Sequence, residues 1–124
     1  MPSSPTVDRA PLSAPVFQIL LSLVDAELHG YALIQDIRDR TGGEVTLTAS
    51  TLYTAIRRLV AAELIEEVGR PRGEKEDPRR RYYAITALGR DTLRAEAARL
   101  ERLTTMARKK KLLPALRIAS AKER

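Results

Sequence analysis

The chain of 124 residues has no cysteine, no tryptophan, one phenylalanine and one histidine. Without cysteine there is no disulfide framework and no thiolate metal site. The single histidine, His29, leaves no Cys/His zinc cluster, so neither a metal nor an organic cofactor is expected. The scarcity of large aromatics means that the core must be aliphatic. Hydrophobic residues still make up 44% of the chain, which is ordinary for a globular protein and too high for a fully disordered one. No segment reaches the length of apolar residues that a transmembrane helix needs. The start, "MPSSPTVDRAPLSAP", lacks the basic and apolar regions of a signal peptide, and the cytoplasm is the expected location. A phosphate-binding glycine loop and a buried carboxylate pair are also missing, so enzyme activity is not expected.

Acidic residues are absent between Thr46 and Val60, although charged residues make up 31% of the chain. The net charge of +6 does not explain this gap, because residues 1–103 hold 15 basic and 15 acidic side chains. The excess lies in residues 104–124, with seven basic side chains and one acidic. Total charge is therefore a poor argument that the folded body binds nucleic acid, and the local distribution has to carry that case.

Residues 1–12 hold three of the seven prolines and read as a flexible leader. A first helix is predicted over 13–25, with Ser13 as N-cap, Pro15 in the first turn, and Val16, Ile19, Leu20 and Leu23 on one stripe. A second is predicted over 29–40, with Tyr31, Leu33, Ile34 and Ile37 partly inward and Gly42-Gly43 as its stop. Thr46–Thr48 read as a short extended piece. A third helix follows over 49–63, capped by Thr48. "LIEEVGRP" and "RRRYYAIT" read as the strands of a β-hairpin with a long charged tip. Thr86 caps a last helix that is mildly interrupted by Gly89, runs to about residue 111 and ends before Pro114.

On a wheel centred on Leu52, the core arc of the third helix holds Ala55, Ile56, Leu59 and Val60. Ser50 falls at about 160°, Thr54 at about 200°, Arg57 at about 140°, Arg58 at about 240° and Tyr53 at about 100°. This outward face of hydroxyls, a phenol and arginines suits phosphates and base edges, which a carboxylate would repel. Three helices and a hairpin form the order of a winged helix-turn-helix, whose third helix enters the major groove of double-stranded DNA. The fold expected is mainly α with a small β-hairpin. A winged-helix domain would span 13–86, a dimerisation helix 87–111 and a basic tail 112–124.

The runs "HGYAL", "STLYTAIRRLVAAELIEE" and "RRRYYAITALGRDTL" together resemble the PadR family of transcriptional regulators over about residues 15–95. The matching residues are His29, Gly30, Tyr31, Leu52, Tyr53, Arg58, Leu59, Leu64, Ile65, Tyr82, Tyr83, Thr86 and Gly89. Thr54 stands where the pattern has proline, and Glu63 where it has the glycine before Leu-Ile. The tip "GEKED" carries three acids. The resemblance implies a homodimer formed largely by the last helix, and repression of a promoter. Some members of the family sense small aromatic molecules at the dimer interface, but no residue of this sequence establishes such an effector.

The residues assigned to DNA are Thr48, Ser50, Thr51, Tyr53, Thr54, Arg57 and Arg58 on the third helix, and Arg72, Lys75, Arg79, Arg80 and Arg81 on the wing. Tyr53 is placed with equal reason against DNA or between the third helix and the wing. Arg57 and Arg58 could be a solvated pair, and Arg79–Arg81 could pair with nearby acids, contacts that are worth little at a surface. His29 reads as a structural hydrogen-bonding group rather than a pH or metal sensor. The stripe Leu93, Ala97, Leu100, Leu103 and Met106 is longer than a body of this size needs for itself. It is assigned to a dimer interface in which Leu20 and Leu23 receive the partner. The tail, with Leu112, Leu113, Leu116 and Ile118 among its cations, is read as docking in the dimer in preference to a phosphate-binding arm, a solvated helix end or a membrane-surface segment. A protein-interaction adaptor on the same scaffold is the alternative function, kept open by the neutral charge of the body.

Overall fold

The computed structural model describes residues 11–69 and 80–116. The elements follow in the order α1 (Ala14–Ser22), β1 (Leu28–His29), α2 (Gly30–Arg40), α3 (Ala49–Ala61), β2 (Ile65–Val68), β3 (Tyr82–Ile85) and α4 (Ala87–Lys109). Each helix begins on a side chain that accepts a hydrogen bond from a free N–H of its first turn. Ser13 accepts from Val16, His29 from Ala32 through Nδ1, Thr48 from Thr51 and Thr86 from Gly89. His29 thus has the structural role expected of it, and its ring also stands edge-on to Tyr82 with centroids 5.2 Å apart.

The helix ends are shorter than the periodicity predicts. α1 stops at Ser22 with Leu23 as its cap, not at Asp25, because residues 24–27 turn the chain so that Leu28 and His29 can join the sheet. α3 ends at Ala61, where the N–H groups of Glu63 and Leu64 bond back to the carbonyls of Val60 and Leu59. This is a Schellman closure, and its left-handed position is usually glycine. Here Glu63 occupies it at φ 64°. Gly42, at φ 63°, closes α2 in the same way.

The expected hairpin is present as β2 and β3, and a third strand, β1, extends it into an antiparallel sheet of order β1-β3-β2. β2 pairs with β3 from Ile65↔Ile85 to Val68↔Tyr82, and β1 adds to the other edge through Leu28↔Tyr83 and His29↔Tyr82. Thr46–Thr48 form no strand. Gly89 does not interrupt α4. It sits buried in the first turn, where a Cβ would collide with the Leu64 carbonyl. That carbonyl accepts from the Thr86 N–H, while the Thr86 hydroxyl donates to the Glu63 carbonyl, so one joint fixes the end of α3, the sheet and the start of α4.

The core is aliphatic, as the composition requires. Ile19, Leu20, Leu33, Ile37, Leu52, Leu59 and Leu64 are wholly buried. Truncating one such residue to alanine typically costs about 2–5 kcal/mol. Two positions read as inward are not. Tyr31 is 62% exposed and Val60 40%: Tyr31 falls about 160° around α2 from Leu33 and faces out, while Val60 lies at the margin of the apolar arc of α3. The outer side of α1 and α2 is clamped by Arg40, which donates to Asp36, Gln18 and Ser22, while the Ser22 hydroxyl donates to Asp36. Burial pushes the Asp36 carboxyl up, but the bonds from Ser22 and Arg40 outweigh it and hold the group below its ordinary value.

Candidate nucleic-acid interface

α3 buries Leu52, Ala55, Ile56 and Leu59 and turns its other side outward. Ser50, Thr51, Tyr53, Thr54, Arg57 and Arg58 are all exposed along it, and the stretch has no acid to oppose an approaching phosphate. Two of its hydroxyls have local work. Thr48 caps the helix and donates to the Thr51 hydroxyl at 3.1 Å. Arg57 reaches back to the Thr54 hydroxyl at 3.3 Å, so these two groups form one outward pair.

A groove lies on each side of this face. On one flank, Ser50, Thr51, Thr54 and Arg58 line a groove of about 250 Å³ with Ser13 and Pro15 at the start of α1. On the other, Tyr53 closes a cleft of about 420 Å³ with Tyr31, at the start of α2, and Arg80, Arg81 and Tyr83, at the start of β3. Tyr53 thus faces the cleft beside Gly30 at the start of α2 while remaining 42% exposed. Arg81 pairs with Glu67 across the strands at 3.0 Å, with both side chains well exposed. An exposed pair of this kind is worth less than about 1 kcal/mol and does not hold Arg81 from another anion. Burial, then the Glu67 carboxylate and the Tyr53 phenol, push the Tyr83 hydroxyl above its ordinary value against the opposing pull of Arg81. Tyr83 accordingly remains a neutral hydrogen-bond donor. Arg72, Lys75 and Arg79, assigned to the wing tip, lie outside the described residues, as do most of the leader and the tail from Arg117 onward, Ile118 included.

The residues assigned to a dimer divide into two groups. Leu20 and Leu23 are fully buried in the chain's own core, so the expectation that they receive a partner is corrected: their side chains have no surface left to offer. Leu93 is also buried within the chain. Ala97, Leu100, Leu103 and Met106 are exposed along α4. Ala97 borders the α1 side chains Phe17, Leu21 and Val24, which form an apolar groove of about 220 Å³ against Leu93, Ala97 and the stems of Arg90 and Arg94. These three lay outside the sequence expectation. Their apolar spacing was a signal, because α1 carries a second stripe beside the one it buries.

Glu96 was not expected to matter. It is buried on α4, forms a fork with Arg99 at 2.7 and 2.8 Å and accepts the Leu12 N–H at 3.2 Å. The Arg99 guanidinium, opposed by burial and helped by the Leu12 N–H, holds its carboxyl below the ordinary value. No group of acids, histidines and cysteines that could hold a metal occurs among the described residues, and none of their helices is long and apolar enough to cross a membrane.

Residues 19–95 match the model of the transcriptional regulator PadR-like family. A curated relative, an uncharacterised protein X of Lysinibacillus sphaericus, is 34% identical over 73 residues. That match covers 58% of this chain and 64% of the relative's length. Among solved structures, a PadR family transcription regulator from Clostridium difficile R20291 superposes with a TM-score of 0.68 at 23% identity, covering 78% of this chain and 97% of that one. Bacillus subtilis PadR, solved in complex with operator DNA, superposes with a TM-score of 0.57 at 22% identity, covering 68% of this chain and 47% of that one. At these identities the two structures are evidence for the fold.

Proposed function

From the premise that this chain belongs to the PadR-like family of transcriptional regulators, we propose that it binds double-stranded DNA sequence-specifically as a homodimer and represses transcription. The observation that carries the reading is the acid-free outward face of α3, set between two grooves that each hold arginine. One protein of the same fold is bound to operator DNA, which supports docking α3 into a major groove and the sheet edge against the adjoining backbone. In this arrangement Thr54 and Arg57 read base edges, because they stand at the middle of the outward face. Arg58, Arg80 and Arg81 stand at its borders and neutralise phosphates. The homodimer is supported by the exposed stripe Leu100, Leu103 and Met106, which continues into the groove at Phe17, Leu21 and Val24. A partner's α4 laid along it would bury what is now open to water.

The test is titration of variants on the DNA upstream of the protein's own gene and on random duplex, at several salt concentrations. Replacing Arg80 or Arg58 with Ala weakens both complexes alike and reduces the salt slope by roughly one unit for each phosphate no longer neutralised. Replacing Thr54 or Arg57 with Ala narrows the gap between the two DNAs, by about 1–3 kcal/mol where a bidentate bond to a base disappears. The opposite pattern reverses the roles. No change in any variant removes DNA from this surface and favours the adaptor reading.

A further inference from the structure

Three of the chain's four tyrosines, Tyr31, Tyr53 and Tyr83, meet at the cleft between α2, α3 and β3. Tyr83 is only 5% exposed, and its hydroxyl makes no hydrogen bond to any described residue. Buried polar groups nearly always have a partner, so a buried phenol at the wall of an open cleft is a donor waiting for an acceptor that enters from outside. The Tyr53 hydroxyl, beside Gly30, has no hydrogen-bond partner among the described residues either. Tyr31 accepts from Gln35 through its oxygen, which leaves its own proton available. Arg80 and Arg81 line the same space, and the nearby Glu67 carboxylate is taken up by Arg81. Neutral donors and guanidinium groups that line one cleft suit a tetrahedral oxyanion with several acceptor oxygens. They do not match a cation, and an apolar group would leave the phenols unsatisfied.

We propose that this cleft seats one phosphodiester group of the DNA backbone, with Tyr83 and Tyr53 donating to its oxygens, Tyr31 at the rim and Arg80 and Arg81 providing charge. The inference rests on the DNA-binding reading and adds to it a contact made mainly by uncharged groups. Because the seat joins α2, α3 and the sheet, it fixes how α3 sits relative to the backbone. Phosphate contacts of this kind set register without reading sequence.

The test uses the full chain labelled with 3-fluorotyrosine, whose four fluorine resonances are assigned by Tyr→Phe variants. Random duplex DNA at low salt should move the Tyr53 and Tyr83 resonances and leave that of Tyr82, which does not line the cleft. Tyr83→Phe should weaken random and upstream duplex equally, by about tenfold for the loss of a hydrogen bond to a charged group. Its thermal midpoint should be unchanged or higher, because the variant removes an unpaired buried hydroxyl. A purely structural tyrosine would not separate the two readouts in that direction. Wild-type affinity in both Tyr53→Phe and Tyr83→Phe, with duplex binding intact, overturns the seat and leaves the DNA reading standing. Absence of salt-dependent duplex binding by the wild type removes both. Saturation of the cleft by inorganic phosphate at a phosphate concentration below that of the duplex would mark a free-anion site and also overturn the proposal.

Discussion

The phenol of Tyr53 occupies the space that a side chain at Gly30 would need: a Cβ built on Gly30 collides with the hydroxyl end of the ring. The contact ties the first residue of α2 to the outward face of α3. It also gives a physical reason for glycine at a position whose backbone needs no positive φ.

Gly30→Ala should therefore separate folding from binding. The Tyr53 ring is partly exposed and can swing aside, so stability should change by no more than about 1 kcal/mol. DNA affinity should fall, because Tyr53 leaves the cleft. Thermal unfolding and a duplex titration of the same sample check both halves. A large loss of stability would show that Tyr53 cannot move.

Glu63 takes the left-handed position at the end of α3 without the freedom of glycine. Glu63→Gly relieves that strain, and the variant should be more stable by about 1 kcal/mol. A urea denaturation midpoint that does not rise would mean that the carboxylate makes a compensating contact.

Acid should loosen the junction between Leu12 and α4. Glu96 has a depressed carboxyl value, so the unfolded state binds more protons than the folded one as pH falls. Its contribution is complete above the ordinary glutamate range, about 4.3, and is lost as pH drops through the lower folded value. Asp36 acts in the same direction. Glu96→Gln should reduce the fall of the urea midpoint between about pH 5 and pH 2 without abolishing it. An identical pH profile in the variant would show that the Arg99 and Leu12 contacts do not persist in solution.

Leu100 is 37% exposed on the outer stripe of α4. Leu100→Asp should release folded monomers, because the chain's own core does not depend on it. Sedimentation of the wild type at micromolar concentration should give a dimer. A folded wild-type monomer would refute the dimer assignment.

Much of this arrangement was legible in local chemistry. Ser13, Thr48 and Thr86 cap helices as their residue types predict, and the spacing of Leu52, Ile56 and Leu59 fixed which side of α3 faces out. The rest depended on partners distant in sequence. Leu28 and His29 are too short a strand to show a period, and only pairing with Tyr82 and Tyr83 defines them. Glu96 looks like one more surface charge on a charged helix until the Leu12 N–H, 84 residues away, is placed on it. Leu20 and Leu23 share a spacing that suits either a core or an interface. Burial alone distinguished the two, leaving Phe17, Leu21 and Val24 on the outer stripe.

Sequence-specific binding is tested most sharply by footprinting of the purified protein on the DNA upstream of its own gene. A protected, two-fold symmetric site is expected, with half-sites about one helical turn apart or a multiple of it. Protection should weaken steeply with salt and vanish from the specific site first in Arg57→Ala. Uniform weak protection along the whole fragment, or none at low salt, would contradict sequence-specific binding.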